Sequence, residues 1–269
     1  MRDTFKINLA GSVINYEDSQ KQTLPVIFIH GFPFSKESWR PQFEFLKETH
    51  RVIIYDLPGF GGSTTDTEET SISFFADNLI HFMDALQIEK AVVCGLSMGG
   101  YILLNAVERY QDRFEAIILS DTQCVADTDE GAKKRYDTIK EIEAKGLNEF
   151  TEGFVKKAFS KETQAKKAEL VESIKQVILS NPQKSITAAL KAMAGRKETC
   201  SGLENISLPT LILCGEEDEL TPVAQSQKLF DAMPNAEIHI IASAGHLSNL
   251  EQEEVFNDHL HNFISDIIL

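Results

Sequence analysis

Short apolar runs recur in the first and last parts of the chain, at the length expected of buried β-strands. Uninterrupted runs of this kind are typical of strands whose two faces are both covered by helices. The predicted strands span residues 25–29, 51–56, 91–94, 114–119, 209–214 and 236–241, and the run at 25–29 is apolar throughout. Ahead of them, residues 5–9 and 13–16 alternate apolar with polar, which predicts an antiparallel hairpin. The pattern therefore predicts eight strands.

Amphipathic segments separate these strands and carry apolar side chains at helical spacing. Phe75, Leu79 and Phe82 do so in a segment over residues 71–86, and similar segments cover 222–233 and 250–268. Strands that alternate with helices predict an α/β fold, with a mostly parallel sheet covered by helices on both faces. In such sheets ligands bind at the carboxyl ends of the strands.

The stretch over residues 122–204 has a different pattern. It is rich in Lys, Glu and Ala and shows helical segments at 132–145, 147–159, 162–179 and 184–194, with no strand pattern. We therefore predict three parts: a first core part over 1–121, a helical cap insertion over 122–204, and a second core part over 205–269.

A candidate nucleophile follows the strand at 91–94. There the sequence reads Gly95-Leu96-Ser97-Met98-Gly99, a G-x-S-x-G turn that leads into an apolar helix. Alone, the motif also suits an ordinary flexible turn. The strand before it and the helix after it favour a nucleophile elbow, which places Ser97 where a base can reach its hydroxyl. Gly95 and Gly99 are expected because a Cβ would collide where strand and helix pack closely.

The base that activates Ser97 is expected to be a histidine far along the chain. Among the seven histidines, His246 follows the last strand and lies in a loop that can reach over the sheet edge. His239 falls inside a strand, and His259 and His261 fall in the final helix. These three are interpreted as packing or surface residues.

The acid that orients the histidine is expected after the strand at 209–214, where four carboxylates follow within residues 216–219. Asp218 is favoured by its place between the glycine that ends the strand and the proline that begins the next helix. Asp121, which follows the strand at 114–119, is the alternative. Two backbone N–H groups, those of Phe32 and Met98, are expected to form the oxyanion hole.

Five motifs carry a family resemblance: HGFPFS at 30–35, DLPGFGGS at 56–63, GLSMGG at 95–100, GEEDELTP at 215–222 and AGHLSNLE at 244–251. With them the chain resembles cap-bearing α/β-hydrolases. The motif AALKAMAGRKET at 188–199 is similar to 3-oxoadipate enol-lactonases and small carboxylesterases. The resemblance implies hydrolysis of a small ester or lactone by Ser97, His246 and Asp218, with water as co-substrate and neither cofactor nor metal.

Several alternatives remain open. The same triad serves C–C bond hydrolases of ring-cleavage diketones and perhydrolases, and a slow-turnover signalling receptor is a third alternative. Phe34, Met193 and Leu247 are candidate pocket residues. Arg196 is interpreted either as a ligand for a substrate carboxylate or, by preference, as a solvated surface residue.

Composition and charge limit the classes of binding partner that we expect. The formal net charge is −15, from 41 acidic and 26 basic residues, which argues against nucleic acid or an anionic membrane as partner. No apolar run is long enough to span a bilayer, and the N-terminus lacks a signal-peptide pattern. The four cysteines show no metal-binding spacing, and we expect a reducing, cytoplasmic compartment. Monomer and homodimer both remain open.

Overall fold

A computed structural model describes residues 4–9, 11–67 and 70–268 of the chain. The ends of the two predicted core parts, at 1–3 and 269, and the internal residues 10, 68 and 69 lie outside this description.

One nine-stranded sheet organises the molecule. Its strands are β1 (Thr4–Leu9), β2 (Ser12–Asp18), β3 (Pro25–Ile29), β4 (Arg51–Tyr55), β5 (Thr64–Thr65), β6 (Ala91–Leu96), β7 (Phe114–Ser120), β8 (Thr210–Gly215) and β9 (Ala236–Ile241). The order is β1-β2-β4-β3-β6-β7-β8-β9, with β5 paired to β2. The eight predicted strands are present, and the two-residue β5 is the addition. It has no apolar run to reveal it.

The helices are α1 (Arg40–Leu46), α2 (Ile72–Ala85), α3 (Met98–Tyr110), α4 (Asp129–Lys145), α5 (Asn148–Ala158), α6 (Lys161–Lys166), α7 (Ala168–Ser180), α8 (Gln183–Ala194), α9 (Val223–Ala232), α10 (Ser248–Glu251) and α11 (Glu253–Ile268). Two segments predicted as single helices are each divided. Lys167 and Gln252 depart from helical geometry and break them, although neither residue is a helix breaker by type.

The five helices α4 to α8 lie between β7 and β8 in the chain. We call residues 122–204 the helical insertion. Its first and last turns face each other, because a disulfide joins Cys124 to Cys200 across 76 positions. The expectation of a reducing compartment is at odds with this bond, since disulfides persist mainly in oxidising surroundings. Cys94 and Cys214 are free and buried, as expected of small core residues.

The core lies on both faces of the parallel strands. Strands β3, β6 and β8 are buried along their whole length, which explains their unbroken apolar runs. Trp39 is fully buried, with its ring 4.9 Å from that of Phe28 and 6.0 Å from that of Phe256. Since β3, β6, β7, β8 and β9 are parallel, the loops after them meet at one edge of the sheet.

No helix in the described part of the chain is long and apolar enough to cross a membrane.

Candidate active site

The turn between β6 and α3 carries Ser97. Its φ of 53° and ψ of −114° form a backbone conformation that L residues rarely adopt. The Ser97 N–H donates to the carbonyl of Ser120 (2.9 Å), and the Ser97 carbonyl accepts from Thr122 Oγ1 (2.7 Å). Such strain costs about 1–3 kcal/mol and persists only where the surroundings impose it. Here residues at the end of β7 impose it.

The two elbow glycines sit where backbones touch. A Cβ on Gly95 would lie 2.5 Å from the carbonyl oxygen of Gly99, and a Cβ on Gly99 would collide with the carbonyl oxygen of Ile29. There is therefore no room for a side chain at Gly95 or Gly99, as the motif predicts.

His246 and Asp218, both from loops at the carboxyl edge of the sheet, form a buried hydrogen-bonded pair. Nδ1 of His246 lies 2.8 Å from Oδ2 of Asp218, and the two side chains are 2% and 0% exposed. The same carboxylate accepts the N–H groups of Leu220 (2.7 Å) and Thr221 (2.9 Å) and the hydroxyl of Thr221 (2.7 Å). With donors on every side of Asp218, Nδ1 must carry the proton. The lone pair then lies on Nε2.

The charges of this pair stabilise each other. Burial works to raise the pKa of Asp218, but the His246 charge and the hydrogen bonds from His246 and Thr221 outweigh it, and the pKa falls below 3.8. Burial works to lower the pKa of His246, but the carboxylates of Asp218, Asp121 and Glu251 outweigh it, and the pKa rises above 6.5. The arrangement therefore stabilises the imidazolium that forms when neutral His246 accepts a proton at Nε2.

Asp121 lies behind the pair and does not hydrogen-bond to His246. Its Oδ2 accepts the hydroxyls of Ser248 (2.6 Å) and Ser120 (2.9 Å), and its Oδ1 accepts the N–H of Gly215 (2.8 Å). Burial and the nearby Asp218 raise the pKa of Asp121 to about 7. Of the two candidate acids, the structure therefore brings Asp218 to the histidine.

Ser97 and His246 line the same cavity, which has a volume of about 640 Å³. Within the described residues the Ser97 hydroxyl makes no hydrogen bond, and it remains available to the cavity. Hydrogen bonds of catalytic groups are often long in unliganded enzymes and shorten when substrate binds. The two residues belong to one site.

The loop after β3 borders this site, and the His30 side chain fixes its backbone through hydrogen bonds. His30 Nδ1 lies 2.9 Å from the Gly31 carbonyl, and Nε2 accepts the N–H of Leu57 (3.0 Å). Burial lowers the pKa of His30 to about 4, so the ring is neutral and can make both bonds. Phe32, two residues further on, lines the cavity.

One wall of the cavity is aromatic. Phe150 and Phe154, one turn apart on α5, lie with ring centroids 6.1 Å from that of Phe32. Met193 also lines the cavity, as predicted. The other two predicted pocket residues, Phe34 and Leu247, are fully buried and are not among the described residues that line it. The ring of Phe34 packs behind Phe154 at 5.8 Å.

A second part of the lining, called here the charged wall, carries charged side chains. Tyr101, Asp127 and Arg135 line it, and Arg135 is paired with Asp127. Arg196 lies behind this wall. Its Nη1 donates to Asp127 Oδ1 (2.6 Å), and its guanidinium stacks 4.5 Å from the Tyr101 ring centroid. The preferred interpretation of Arg196 as a solvated residue is wrong, because the ion pair and the ring contact leave only 8% of it exposed.

One group of possible metal ligands exists in the described part of the chain. Asp121, Cys214 and Asp218 place one ligand atom each within 4.8 Å of one another. Burial raises the pKa of the Cys214 thiol, which disfavours the thiolate that a metal needs. Both carboxylates already accept several hydrogen bonds. The chemistry of these residues therefore suits the support of His246 better than the binding of a metal.

Sequence reasoning missed three polar residues around the histidine: Thr221, Ser248 and Glu251. All three are buried, and each hydrogen-bonds to a carboxylate or a backbone group of the site. All three fall inside the quoted motifs GEEDELTP and AGHLSNLE, but no spacing rule gives such residues a role.

Comparison with known sequences places this arrangement in a family. Residues 25–253 match the alpha/beta hydrolase fold family. The protein belongs to the alpha/beta hydrolase family. The predicted fold class and family resemblance are thereby confirmed.

Curated relatives of this alpha/beta hydrolase include 3-oxoadipate enol-lactonase 1 of Acinetobacter baylyi, 28% identical over 97% of this chain and 96% of that protein. A second is a 2-hydroxy-6-oxononadienedioate/2-hydroxy-6-oxononatrienedioate hydrolase of Pseudomonas sp, 24% identical over 94% and 92%. Among solved structures, a thermophilic esterase from Thermogutta terrifontis is 30% identical, with a TM-score of 0.94 over 99% of this chain and 100% of that one. These names agree with the prediction that the chain is a hydrolase.

Proposed function

We propose that the protein hydrolyses small carboxylic esters or lactones through a Ser97–His246–Asp218 triad. The observation that carries the proposal is the buried His246–Asp218 hydrogen bond beside a cavity that Ser97 also lines. The esterase and enol-lactonase names of its relatives support this class of substrate.

In the first step, Ser97 Oγ attacks the substrate carbonyl carbon while His246 Nε2 takes its proton. Asp218 keeps the Nδ1 proton in place and stabilises the imidazolium, without accepting that proton. The tetrahedral intermediate then breaks the bond to the leaving alkoxide, which takes the proton from Nε2. Water repeats these steps on the acyl-enzyme and releases the carboxylic acid and free Ser97.

The oxyanion of each tetrahedral intermediate needs donors aimed at it. The backbone N–H groups of Phe32 and Met98 are suited to this role, because neither has a hydrogen-bond partner among the described residues. Met98 also begins α3, whose N-terminal end favours negative charge. Losing one such donor costs on the order of 3 kcal/mol in other serine hydrolases.

The helical insertion acts as a cap over this site in our proposal. Helices α4, α5 and α8 supply Arg135, Phe150, Phe154 and Met193 to the cavity, and Ser97, Phe32 and His246 belong to the core. A cavity lined in this way by an aromatic wall and a charged wall suits a small substrate with an apolar part and a polar part.

Turnover of p-nitrophenyl acetate, p-nitrophenyl butyrate and a panel of γ- and δ-lactones tests the proposal. Because triad members act as a unit, Ser97→Ala is expected to lower kcat by about 10⁴-fold or more. Ser173→Ala, at an exposed position on α7, is the matched control and is expected to keep full activity. Near-full activity of Ser97→Ala would overturn the proposed nucleophile.

A C–C bond hydrolase is the second candidate, because of the 24%-identical dienedioate hydrolase. The same triad would then expel a carbon leaving group that needs protonation at carbon. Comparing kcat/KM on a vinylogous diketone and on the ester panel separates the two. A diketone preference of about a hundredfold or more, which corresponds to roughly 2.7 kcal/mol, would favour the second candidate.

A further inference from the structure

The carboxylate of Glu251 joins the helical insertion to the loop that carries His246. Glu251 is fully buried at the end of α10. Its Oε1 accepts the N–H of Gly245 (2.8 Å), in the histidine loop, and its Oε2 accepts the N–H of Ser160 (2.8 Å), in the insertion. One side chain therefore bonds at the same time to both segments.

Further contacts are made at this junction between the helical insertion and the loop that carries His246. The N–H of His246 donates to the carbonyl of Ala158 (2.7 Å), the last residue of α5. Lys167 Nζ donates to the backbone carbonyl of Glu251. A Cβ on Gly245 would lie 2.7 Å from the Ala158 oxygen and 2.8 Å from the Ser160 nitrogen, so the two backbones are in direct contact. The insertion therefore contributes, together with the core, to the backbone position of His246.

The junction also lies at the end of α5, the helix that carries the aromatic wall. Phe150 and Phe154 face the cavity, and Ala158 follows one turn after Phe154 on the same helix. A substrate that moves the aromatic wall would therefore act on the histidine loop through a rigid helix of 11 residues.

Several charged groups lie around this junction. Glu217, after β8, accepts the N–H of Lys161 from the insertion (3.3 Å), and Glu162 on α6 hydrogen-bonds to Ser243. His246 faces Asp218 from the loop after β8, Asp121 from the end of β7, and Glu251 from α10. On the side of the insertion, Lys167 reaches the carbonyl of Glu251. The negative charge of Glu251 adds to that of Asp218 and Asp121 in raising the pKa of His246.

We propose that Glu251 is a positioning residue that aligns the catalytic histidine with the helical insertion, so that substrate contacts in the cavity set the geometry of the base. The inference rests on the proposed triad and adds to it a residue that touches neither substrate nor Ser97. It assigns the carboxylate two roles, as a mechanical link through two N–H groups and as a fixed charge near the imidazole.

Two substitutions separate these roles. Glu251→Gln keeps the size of the side chain but removes the charge, and its amide can accept only one of the two N–H groups. Glu251→Asp keeps the charge but is one methylene too short to reach both. Glu254→Gln, exposed and three residues away on α11, is the matched control for loss of one negative charge.

The measurement is the pH profile of kcat/KM on p-nitrophenyl butyrate, with active sites counted by a fluorophosphonate that labels the catalytic serine. In Glu251→Gln we expect kcat per active site to fall about tenfold to a hundredfold, as small misplacements of catalytic groups do. Its acidic limb should move to lower pH, because His246 loses a stabilising charge. Glu251→Asp should lose kcat with the limb in place, and Glu254→Gln should match the parent.

A purely structural role for Glu251 would lower the number of active sites and leave kcat per site and the acidic limb unchanged. That result would overturn the inference, provided that Ser97→Ala is inactive in the same assay. An active Ser97→Ala would instead overturn the proposed function itself. If Glu251→Gln does not fold, Ser160→Pro replaces it, because this change removes the N–H that donates to Glu251 Oε2 at a position whose φ of −59° suits proline. A parental kcat in that variant would overturn the link to the insertion.

Discussion

Asp121 and Asp218 hold carboxylate oxygens within 4.8 Å of each other, yet only Asp218 hydrogen-bonds to His246. Their surroundings shift the pKa values of the two carboxyl groups in opposite directions. Asp218 accepts the imidazole N–H, which lowers its pKa, while burial and the charge of Asp218 raise the pKa of Asp121 to about 7. Two buried carboxyl groups this close do not both ionise easily. We therefore expect Asp218 to be ionised beside the histidine, and Asp121 to release its proton only as the pH approaches about 7.

Replacing Asp218 with asparagine tests which aspartate orients the base. An amide NH₂ facing Nδ1 makes His246 an acceptor there, which moves the proton to Nε2 and leaves no base for Ser97. By analogy with the same change in a serine protease, kcat is expected to fall on the order of 10⁴-fold. Asp121→Asn is the comparison and should lose about tenfold at most, because it leaves the His246–Asp218 bond intact. The reverse ranking of the two variants would move the acid to Asp121.

Asp121 also predicts a pH dependence of stability. Its folded pKa of about 7 lies above the ordinary value of 3.8, so the folded state holds a proton that the unfolded state has released. The protonated carboxyl of Asp121 therefore stabilises the folded state, fully below pH 3.8, and this stabilisation is lost as the pH rises through about 7. Asp121→Asn keeps a neutral group at this position at every pH. The melting temperature of the variant relative to the parent should therefore rise between pH 4 and pH 7.5. A constant difference across that range would contradict the prediction.

In the proposed mechanism, the pH profile of catalysis depends on His246. The ring must be neutral to take the serine proton, and its pKa is raised above 6.5 by Asp218, Asp121 and Glu251 against the effect of burial. We expect kcat/KM to fall tenfold for each pH unit below an apparent pKa that lies above 6.5, since this parameter reports the free enzyme. Initial rates on p-nitrophenyl acetate between pH 5 and pH 9 measure it. A midpoint below 6.5 would show that burial outweighs the three carboxylates.

Much of the fold follows from the pattern of apolar residues. Strands such as β3 and β6 are buried on both faces, and this burial requires the unbroken apolar runs that the sequence shows. The turn at Ser97 could also be predicted from the sequence, because close backbone contacts require its two glycines. The division at Lys167 and the bond between Cys124 and Cys200 depend on packing between distant segments. No local pattern encodes that packing.

Some residues of the candidate site could likewise be predicted from the sequence, and others could not. Ser97, Asp218 and His246 follow strands at the edge where ligands gather, and topology therefore suffices to bring them together. Arg196 shows where this reasoning stops. An arginine in a polar stretch is usually solvated, and only tertiary packing brings Asp127 and Tyr101 to it. Phe34 illustrates the converse, since this apolar residue in the loop after β3 packs behind the aromatic wall and does not line the cavity.

The aromatic wall predicts a change in substrate length. Phe154→Ala on α5 removes a ring that lines the cavity and packs against Phe32 and Phe150. The larger cavity should shift the preferred acyl chain of p-nitrophenyl esters to a longer one, with each added methylene worth about 1–3 kcal/mol where it fits. Phe45→Ala, at an exposed position, is the control and should leave the preference unchanged. An unchanged optimum in Phe154→Ala would place the acyl group at the charged wall.

The Cys124–Cys200 bond gives the last prediction. It closes a segment of 76 positions that contains all five helices of the insertion. A cross-link over a loop of this length stabilises the folded state by about 2–4 kcal/mol, chiefly by restricting the unfolded chain. A reductant should therefore lower the melting temperature of the oxidised protein. The double variant Cys124→Ser/Cys200→Ser should melt at the lower temperature whether or not reductant is present. Thiol titration under denaturing conditions gives the second readout: two free thiols are expected, from Cys94 and Cys214, and four would show that the bond does not form.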